Sequence, residues 1–167
     1  MPRKKQIVVI GSSDETVNLS EAAAIGRFIA AQGFILITGG RGGVMEAVSR
    51  GAAENGGTVI GILPGENLDS ANRYCSVVIP TGLGFARNAV NVLAADVVIA
   101  IGGRSGTLTE LAYSRLYGKP LICCTFSGGW SEEFSRAPAD GRDGSPVYTA
   151  RTAEEACGLI TSILGGN

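Results

Sequence analysis

The stretch Asp96-Val97-Val98-Ile99-Ala100-Ile101-Gly102-Gly103-Arg104-Ser105-Gly106-Thr107-Leu108-Thr109-Glu110 constrains the fold more than any other part of the chain. Its first half is an unbroken, largely β-branched apolar run, the pattern of a strand buried on both faces. Its second half is a glycine turn entering a helix. Thr107 and Glu110 stand three apart, the spacing of a capping box, which predicts a helix starting near Thr107. Glycine allows a ligand close to the backbone, and the first N–H groups of a helix lack internal partners while carrying the positive end of its dipole. An anion such as phosphate is the natural occupant.

The same strand, glycine turn and helix recur along the chain. Gln6 to Ile10 is a first apolar strand running into Gly11-Ser12-Ser13. The spacing then predicts a helix with Asn18 as N-cap, Glu21 at the third position, an inner face of Ala22, Ile25, Gly26 and Ile29, and a stop at Gly33. Phe34 to Thr38 is a second strand, followed by the Gly39-Gly40-Arg41-Gly42-Gly43 loop and a helix with Met45, Val48 and Ala52 inward, closed by Gly56. Thr58 to Leu63 and Cys75 to Ile79 are further strands. Pro80-Thr81-Gly82-Leu83-Gly84 turns into a helix expected to bury Phe85, Ala89, Val90 and Leu93, with Arg87, Asn88 and Asn91 on its opposite side. The helix after the central strand ends at Gly118, and Leu121 to Thr125 is the next strand. From Gly128 to about Pro146 the sequence reads as an irregular surface segment with a helical turn. Thr152 and Glu155 then open a C-terminal helix reaching Leu164. Alternating strands and helices, with each strand a continuous apolar run, predict an α/β fold. Its form is a single doubly wound, Rossmann-like parallel sheet with helices on both faces, one domain over 1–167. Ligands of such sheets bind beyond the carboxyl ends of the strands, where Gly11-Ser12-Ser13, Gly39 to Gly43 and Gly102 to Thr107 all fall.

Composition narrows the function classes. The chain has 167 residues, 14 Lys and Arg, 15 Asp and Glu, and a net charge of −1. Three of its cations crowd at Arg3, Lys4 and Lys5, leaving 11 bases against 15 acids elsewhere, or −4. A nucleic-acid partner is not expected. No apolar run approaches the roughly 20 residues of a membrane span, and the N-terminus lacks a signal peptide's apolar core. A cytoplasmic location with no membrane partner follows as the expectation. The absence of histidine excludes serine-histidine triads and histidine-based zinc chemistry. Cys75, Cys123, Cys124 and Cys157 show no CxxC spacing and read as buried, reduced thiols, Cys123 and Cys124 facing opposite ways on one strand. No protein-bound metal is expected.

Gly102-Gly103-Arg104-Ser105-Gly106-Thr107-Leu108-Thr109-Glu110 resembles the GGxGTxxE motif of the LOG-like (lysine-decarboxylase-like) proteins. Gly11-Ser12-Ser13 resembles their first-strand signature, and Gly39-Gly40-Arg41-Gly42-Gly43-Val44-Met45 their GGxxGxM loop. In the cytokinin-activating members the motif starts with proline and the upstream arginine is followed by lysine; here those positions are Ile101 and Asn88. The segment Pro80 to Asn88, with Gly128-Gly129-Trp130, is more similar to the subgroup of the molybdenum-cofactor carrier proteins. That resemblance implies a carrier or store for a pterin monophosphate rather than an enzyme. The alternatives are a nucleoside 5'-monophosphate phosphoribohydrolase and a nucleotide-sensing module. The ligand is then the molybdenum cofactor or a nucleotide monophosphate. Gly102, Gly103, Gly106 and Thr107 are expected to hold its phosphate, with contacts from Gly11, Ser12, Gly40, Gly42 and Gly43. Arg87 and Glu110 bind in a carrier and are catalytic only in a hydrolase, Arg87 orienting the sugar phosphate and Glu110 stabilising an oxocarbenium-like centre or directing water. A homodimer or tetramer is implied by the same resemblance.

Overall fold

The computed structural model describes residues 1–138 and 146–165. Its centre is one sheet of seven parallel strands: β1 (Gln6–Gly11), β2 (Ile35–Thr38), β3 (Thr58–Leu63), β4 (Val77–Pro80), β5 (Val97–Ile101), β6 (Leu121–Cys124) and β7 (Val147–Ala150). The spatial order is β4-β3-β2-β1-β5-β6-β7. The chain therefore winds outward from β1 to β4, returns to β5 on the other side of β1, and winds outward again. Ile7 to Gly11 of β1 pair in register with Val97 to Ile101 of β5. The crevice above that pair is the point where winding reverses, the place where doubly wound sheets bind ligands.

Among the described residues six α-helices cover the sheet: α1 (Leu19–Ala31), α2 (Val44–Ala53), α3 (Arg87–Leu93), α4 (Ser105–Leu116), α5 (Gly129–Ser135) and α6 (Ala153–Gly165). Alternate strand residues enter opposite cores, as the period of two requires. Ile7, Val9, Ile99 and Cys124 pack with α1, α2 and α6, whereas Val8, Ile10, Val98 and Cys123 pack with Val92, Leu111 and Phe134 from α3, α4 and α5. Cys123 and Cys124 thus face opposite ways, and all four cysteines are free. Burial pushes the Cys123 thiol up to about 12 and Cys157 up to about 11, and raises Cys75 and Cys124 as well, which favours the protonated thiols; Cys123 and Cys124 are buried, Cys75 and Cys157 only half-buried. No helix among the described residues is long and apolar enough to cross a membrane.

Several expectations are corrected here. Asn18 does precede α1, but it is left-handed (φ 56°) and its side chain caps nothing; its carbonyl instead accepts from the Ala22 N–H at 3.1 Å. The fourth strand begins at Val77 rather than Cys75, because the chain is still turning there, the Cys75 N–H donating to the Asn72 carbonyl at 3.2 Å. The segment expected to be irregular contains α5, and after it comes an unexpected four-residue edge strand, β7, paired to β6. Part of that segment lies outside the described residues. At the start of α6 the expected cap does form, the Glu155 N–H donating to Thr152 Oγ1 at 3.0 Å; only the return bond shifts, Glu155 Oε2 accepting from the Arg151 N–H at 2.7 Å rather than from that of Thr152.

Two glycines let α1 and α2 cross with their backbones in contact. A Cβ on Gly26 would collide with the Val48 carbonyl, and one on Gly51 with the Ala23 carbonyl. Gly51→Ala should destabilise the protein by about 2 kcal/mol, the overpacking loss outweighing the roughly 1 kcal/mol that alanine gains in helix propensity. Urea unfolding measures it; an unchanged or higher midpoint would show that the helices separate freely.

Candidate functional site

At the carboxyl edge of the sheet a cavity of about 300 Å³ opens between the β1 turn, the loop after β2, the start of α3 and the first turn of α4. The helix entrance differs from expectation. Arg104 is the N-cap and α4 begins at Ser105, so Thr107 sits at the third helical position and makes no capping box with Glu110. The early start leaves the amides of Ser105, Gly106 and Thr107 without intrahelical acceptors, and Gly106 and Thr107 line the cavity. The dipole of this twelve-residue helix points its positive end at the same space.

The cavity's inner wall is α3, turned the other way round from the sequence reading. Arg87, Asn88 and Asn91 are buried with Val92, while Phe85 is 87% exposed, Leu93 52% and Val90 37%. Each polar residue has a task. Asn88 Nδ2 donates to Thr109 Oγ1 at 2.8 Å and to the Gly106 carbonyl at 3.3 Å, clipping α3 to the first turn of α4. Asn91 Nδ2 donates to Glu110 Oε1 at 2.8 Å. Arg87 Nη1 donates to the Ile62 carbonyl at 2.5 Å, whereas its Nε is buried with no partner. Gly39 leaves room beside it, because a Cβ there would press on the guanidinium and on Met45 Sδ and make both side chains shift.

Electrostatics at this wall are tuned by burial. Loss of solvent lowers the Arg87 pKa; Glu110 opposes that and Arg41 adds to it. Glu110 is pushed up to about 7 by burial, against the hydrogen bond from Asn91 and the charge of Arg87. Glu110 is therefore poised between neutral and ionised forms at physiological pH. Across the mouth, Ser12 Oγ donates to Asp14 Oδ1, and Asp14 pairs with Arg104 at 2.6 Å. The Ser12 bond holds the exposed Asp14 carboxyl below its ordinary value.

The structure brings Gly11, Ser12, Arg87, Gly106, Thr107 and Glu110 together around this cavity. It places Gly40, Gly42, Gly43, Gly102 and Gly103 outside the lining, in packing and turn positions. A Cβ on Gly40 would meet Leu63 Cδ2 at 2.9 Å and one on Gly42 the Ser13 carbonyl at 2.9 Å, and one on Gly43 would collide with the Ser12 carbonyl. The Gly102 N–H already donates to Ser127 Oγ at 2.7 Å, so it is not a free donor. The Gly102 and Gly103 carbonyls accept from the Ser131 and Trp130 amides at 2.9 and 3.2 Å. Gly39, Asp14 and Asn91 were missed. Asn91 carried a readable signal, a polar i, i+4 partner of Arg87; Asp14 and Gly39 became significant only once the loops met.

An uncharacterized protein of Archaeoglobus fulgidus is 42% identical over 117 residues, which span 68% of this chain and 76% of that protein. The molybdenum cofactor binding protein of the phototrophic bacterium Rippkaea orientalis superposes with a TM-score of 0.86 at 40% identity, covering 97% of this chain and 98% of that one. The molybdenum cofactor carrier protein of Chlamydomonas reinhardtii superposes at 0.85 with 35% identity, covering 98% and 99%. These similarities bear out the LOG-like resemblance and its carrier subgroup. The SLOG cluster4 family model matches residues 4–157, and the chain belongs to that family.

Proposed function

We propose that this protein binds the molybdenum cofactor as a carrier or store, holding the pterin through its single phosphate. The observation that carries this reading is a buried arginine and a helix entrance on one cavity: Arg87 and the first-turn residues Gly106 and Thr107 of α4 line the same space, and the Arg87 Nε is left without a partner. Support comes from the cofactor-binding proteins of Rippkaea orientalis and Chlamydomonas reinhardtii, which match nearly the whole chain. Gly106 and Thr107 donate backbone N–H groups to the phosphate, Thr107 adds its hydroxyl, and Arg87 supplies the charge. Charge-assisted hydrogen bonds of about 1.5 to 3 kcal/mol each bring three or four such contacts to micromolar affinity, about −8 kcal/mol. Gly11 and Ser12 bound the opposite side. Gly102 and Gly103 shape the turn and leave the donating to later residues. The cofactor's metal travels as cargo, with no protein ligand.

Glu110 sets the charge of the pocket. Its bond from Asn91 occupies one carboxylate oxygen, and a neutral Glu110 removes repulsion against a phosphate dianion. In this reading it tunes binding, and no bond is broken. The protein acts as a homodimer joined through the outward face of α3, where Phe85, Val90 and Leu93 leave apolar surface in solvent.

Gly106→Val tests the phosphate site with little risk to the fold. A Cβ there meets nothing nearer than Asn88 Nδ2 at 4.0 Å, but the added methyls enter the cavity. Inorganic phosphate and pterin phosphate binding, read by calorimetry, should fall about a hundredfold or more, the loss of roughly 3 kcal/mol, with the thermal transition retained. Unchanged phosphate affinity would remove the helix entrance from the site.

Glu110 gives a pH signature. It binds its proton near pH 7 in the folded chain and near 4.5 unfolded. Between these values the folded state holds more protons, so this group's contribution falls as pH rises. The stability of Glu110→Gln relative to wild type should therefore climb from pH 4.5 to 7 and then level, by at most about 3 kcal/mol. A pH-independent difference in denaturation midpoints would show that Glu110 titrates normally. At pH 8 the variant should bind pterin phosphate at least as tightly as wild type, and wild type should release no base from nucleoside monophosphates. Steady base release that collapses in Glu110→Gln would establish a hydrolase instead.

Leu93→Glu should convert the dimer to a monomer in light scattering. An unchanged mass would place any interface elsewhere.

A further inference from the structure

A second hollow, of about 460 Å³, lies on the other side of the α4 entrance, lined by Gly103, Arg104, Ser105, Gly129, Trp130 and Glu133. It meets the phosphate cavity at Arg104, which lines both. Trp130, the sole tryptophan of the chain, lines this hollow and is 39% exposed, and its backbone N–H is tied to the Gly103 carbonyl at 3.2 Å. Glu133 follows three residues later on α5, on the same side of the helix. Gly129 has φ 59°, and a Cβ there would meet the Gly103 carbonyl at 2.8 Å, so α5 is seated directly on the turn, with Trp130 lining the hollow between them. Arg136 pairs more closely with Glu132 and lies 3.9 Å from Glu133, the Glu133 and Arg136 side chains being about two-thirds exposed at 66% and 63%. Such a pair exchanges readily for a better partner.

An aromatic face, an acceptor-only carboxylate and an adjoining anion site make a specific combination. The indole stacks on any flat ring. The carboxylate accepts hydrogen bonds only, and it selects a ring edge with two adjacent N–H donors. We propose that this hollow seats a 2-amino-4-oxopyrimidine ring, the edge shared by pterins and guanine, stacked on Trp130 and read by Glu133. Its phosphate lies in the neighbouring cavity. This assignment rests on the phosphate reading above and adds the part of the site that recognises the ring. Adenine turns one ring nitrogen lone pair toward the carboxylate and is disfavoured.

The test is calorimetric titration of the whole chain with inorganic phosphate, GMP, AMP and a pterin monophosphate, with Trp130 emission followed in parallel. GMP and the pterin phosphate should bind about tenfold or more tighter than AMP and quench the tryptophan. Glu133→Gln should bring AMP and GMP to within about threefold of each other, since one of two charge-assisted bonds is lost. Trp130→Ala should weaken all ring-bearing ligands by about tenfold or more. Both variants should keep wild-type affinity for inorganic phosphate. A preference for pterin phosphate over GMP names the pterin as ligand, the reverse names a guanine nucleotide, and equal affinity shows that the shared edge is what the protein reads. Phosphate binding with equal, unquenched binding of AMP and GMP would overturn the ring assignment and leave the phosphate site standing. Absence of phosphate binding would overturn both.

Discussion

The contact between α3 and α4, made through polar side chains, is the constraint on which the site depends. Asn91 donates to Glu110, Asn88 clips the first turn of α4, and Arg87 reaches the end of β3 at the Ile62 carbonyl. Burying a carboxylate and a guanidinium in one wall is costly unless each is compensated, and here compensation is partial. Glu110 shifts toward its neutral form, and Arg87 keeps one buried N–H unmatched. An apolar wall of the same shape would hold the helices together with less strain on solvation. It would offer nothing to an anion.

Around that wall, close backbone packing does the positioning. The loop after β2 rests on the Ser12-Ser13 turn, with the Val44 N–H donating to the Ser12 carbonyl at 3.1 Å, an approach only glycine at position 43 permits. The turn after β5 is tied to α5 through the Gly102 and Gly103 carbonyls. Many of the glycines that look like ligand contacts in the sequence thus act one step back. They bring three loops to one sheet edge and set the direction of the α4 amides. Gly39 belongs with them, since its missing side chain is the space the Arg87 guanidinium fills.

The outer face of α3 follows from the same inversion. With its polar residues turned inward, the helix shows Phe85, Val90 and Leu93 to solvent. The polar side of a short helix beside a ligand cavity can be its buried side, because the cavity, as well as the core, takes residues out of bulk water. Hydrophobic patterning reports how two faces differ. It is silent on which of them meets the protein.

By itself the sequence determined the alternation of strands and helices, the parallel sheet and the edge on which the loops gather. Those features are local: strands buried on both faces need continuous apolar runs such as Val97 to Ile101, and helices stop at Gly33, Gly56 and Gly118, all left-handed with φ of 63° to 72°. It also marked Arg87, Gly106, Thr107 and Glu110, which the fold brings to one cavity. Only the tertiary structure decided which way α3 faces, that α4 starts at Ser105, and that Asn91 partners Glu110. The four residues of β7 are likewise too short to carry a pattern and become a strand by pairing with β6. Each of these outcomes is set by contacts between segments distant in the chain, and a periodicity or a cap signal read within one segment contains no term for them.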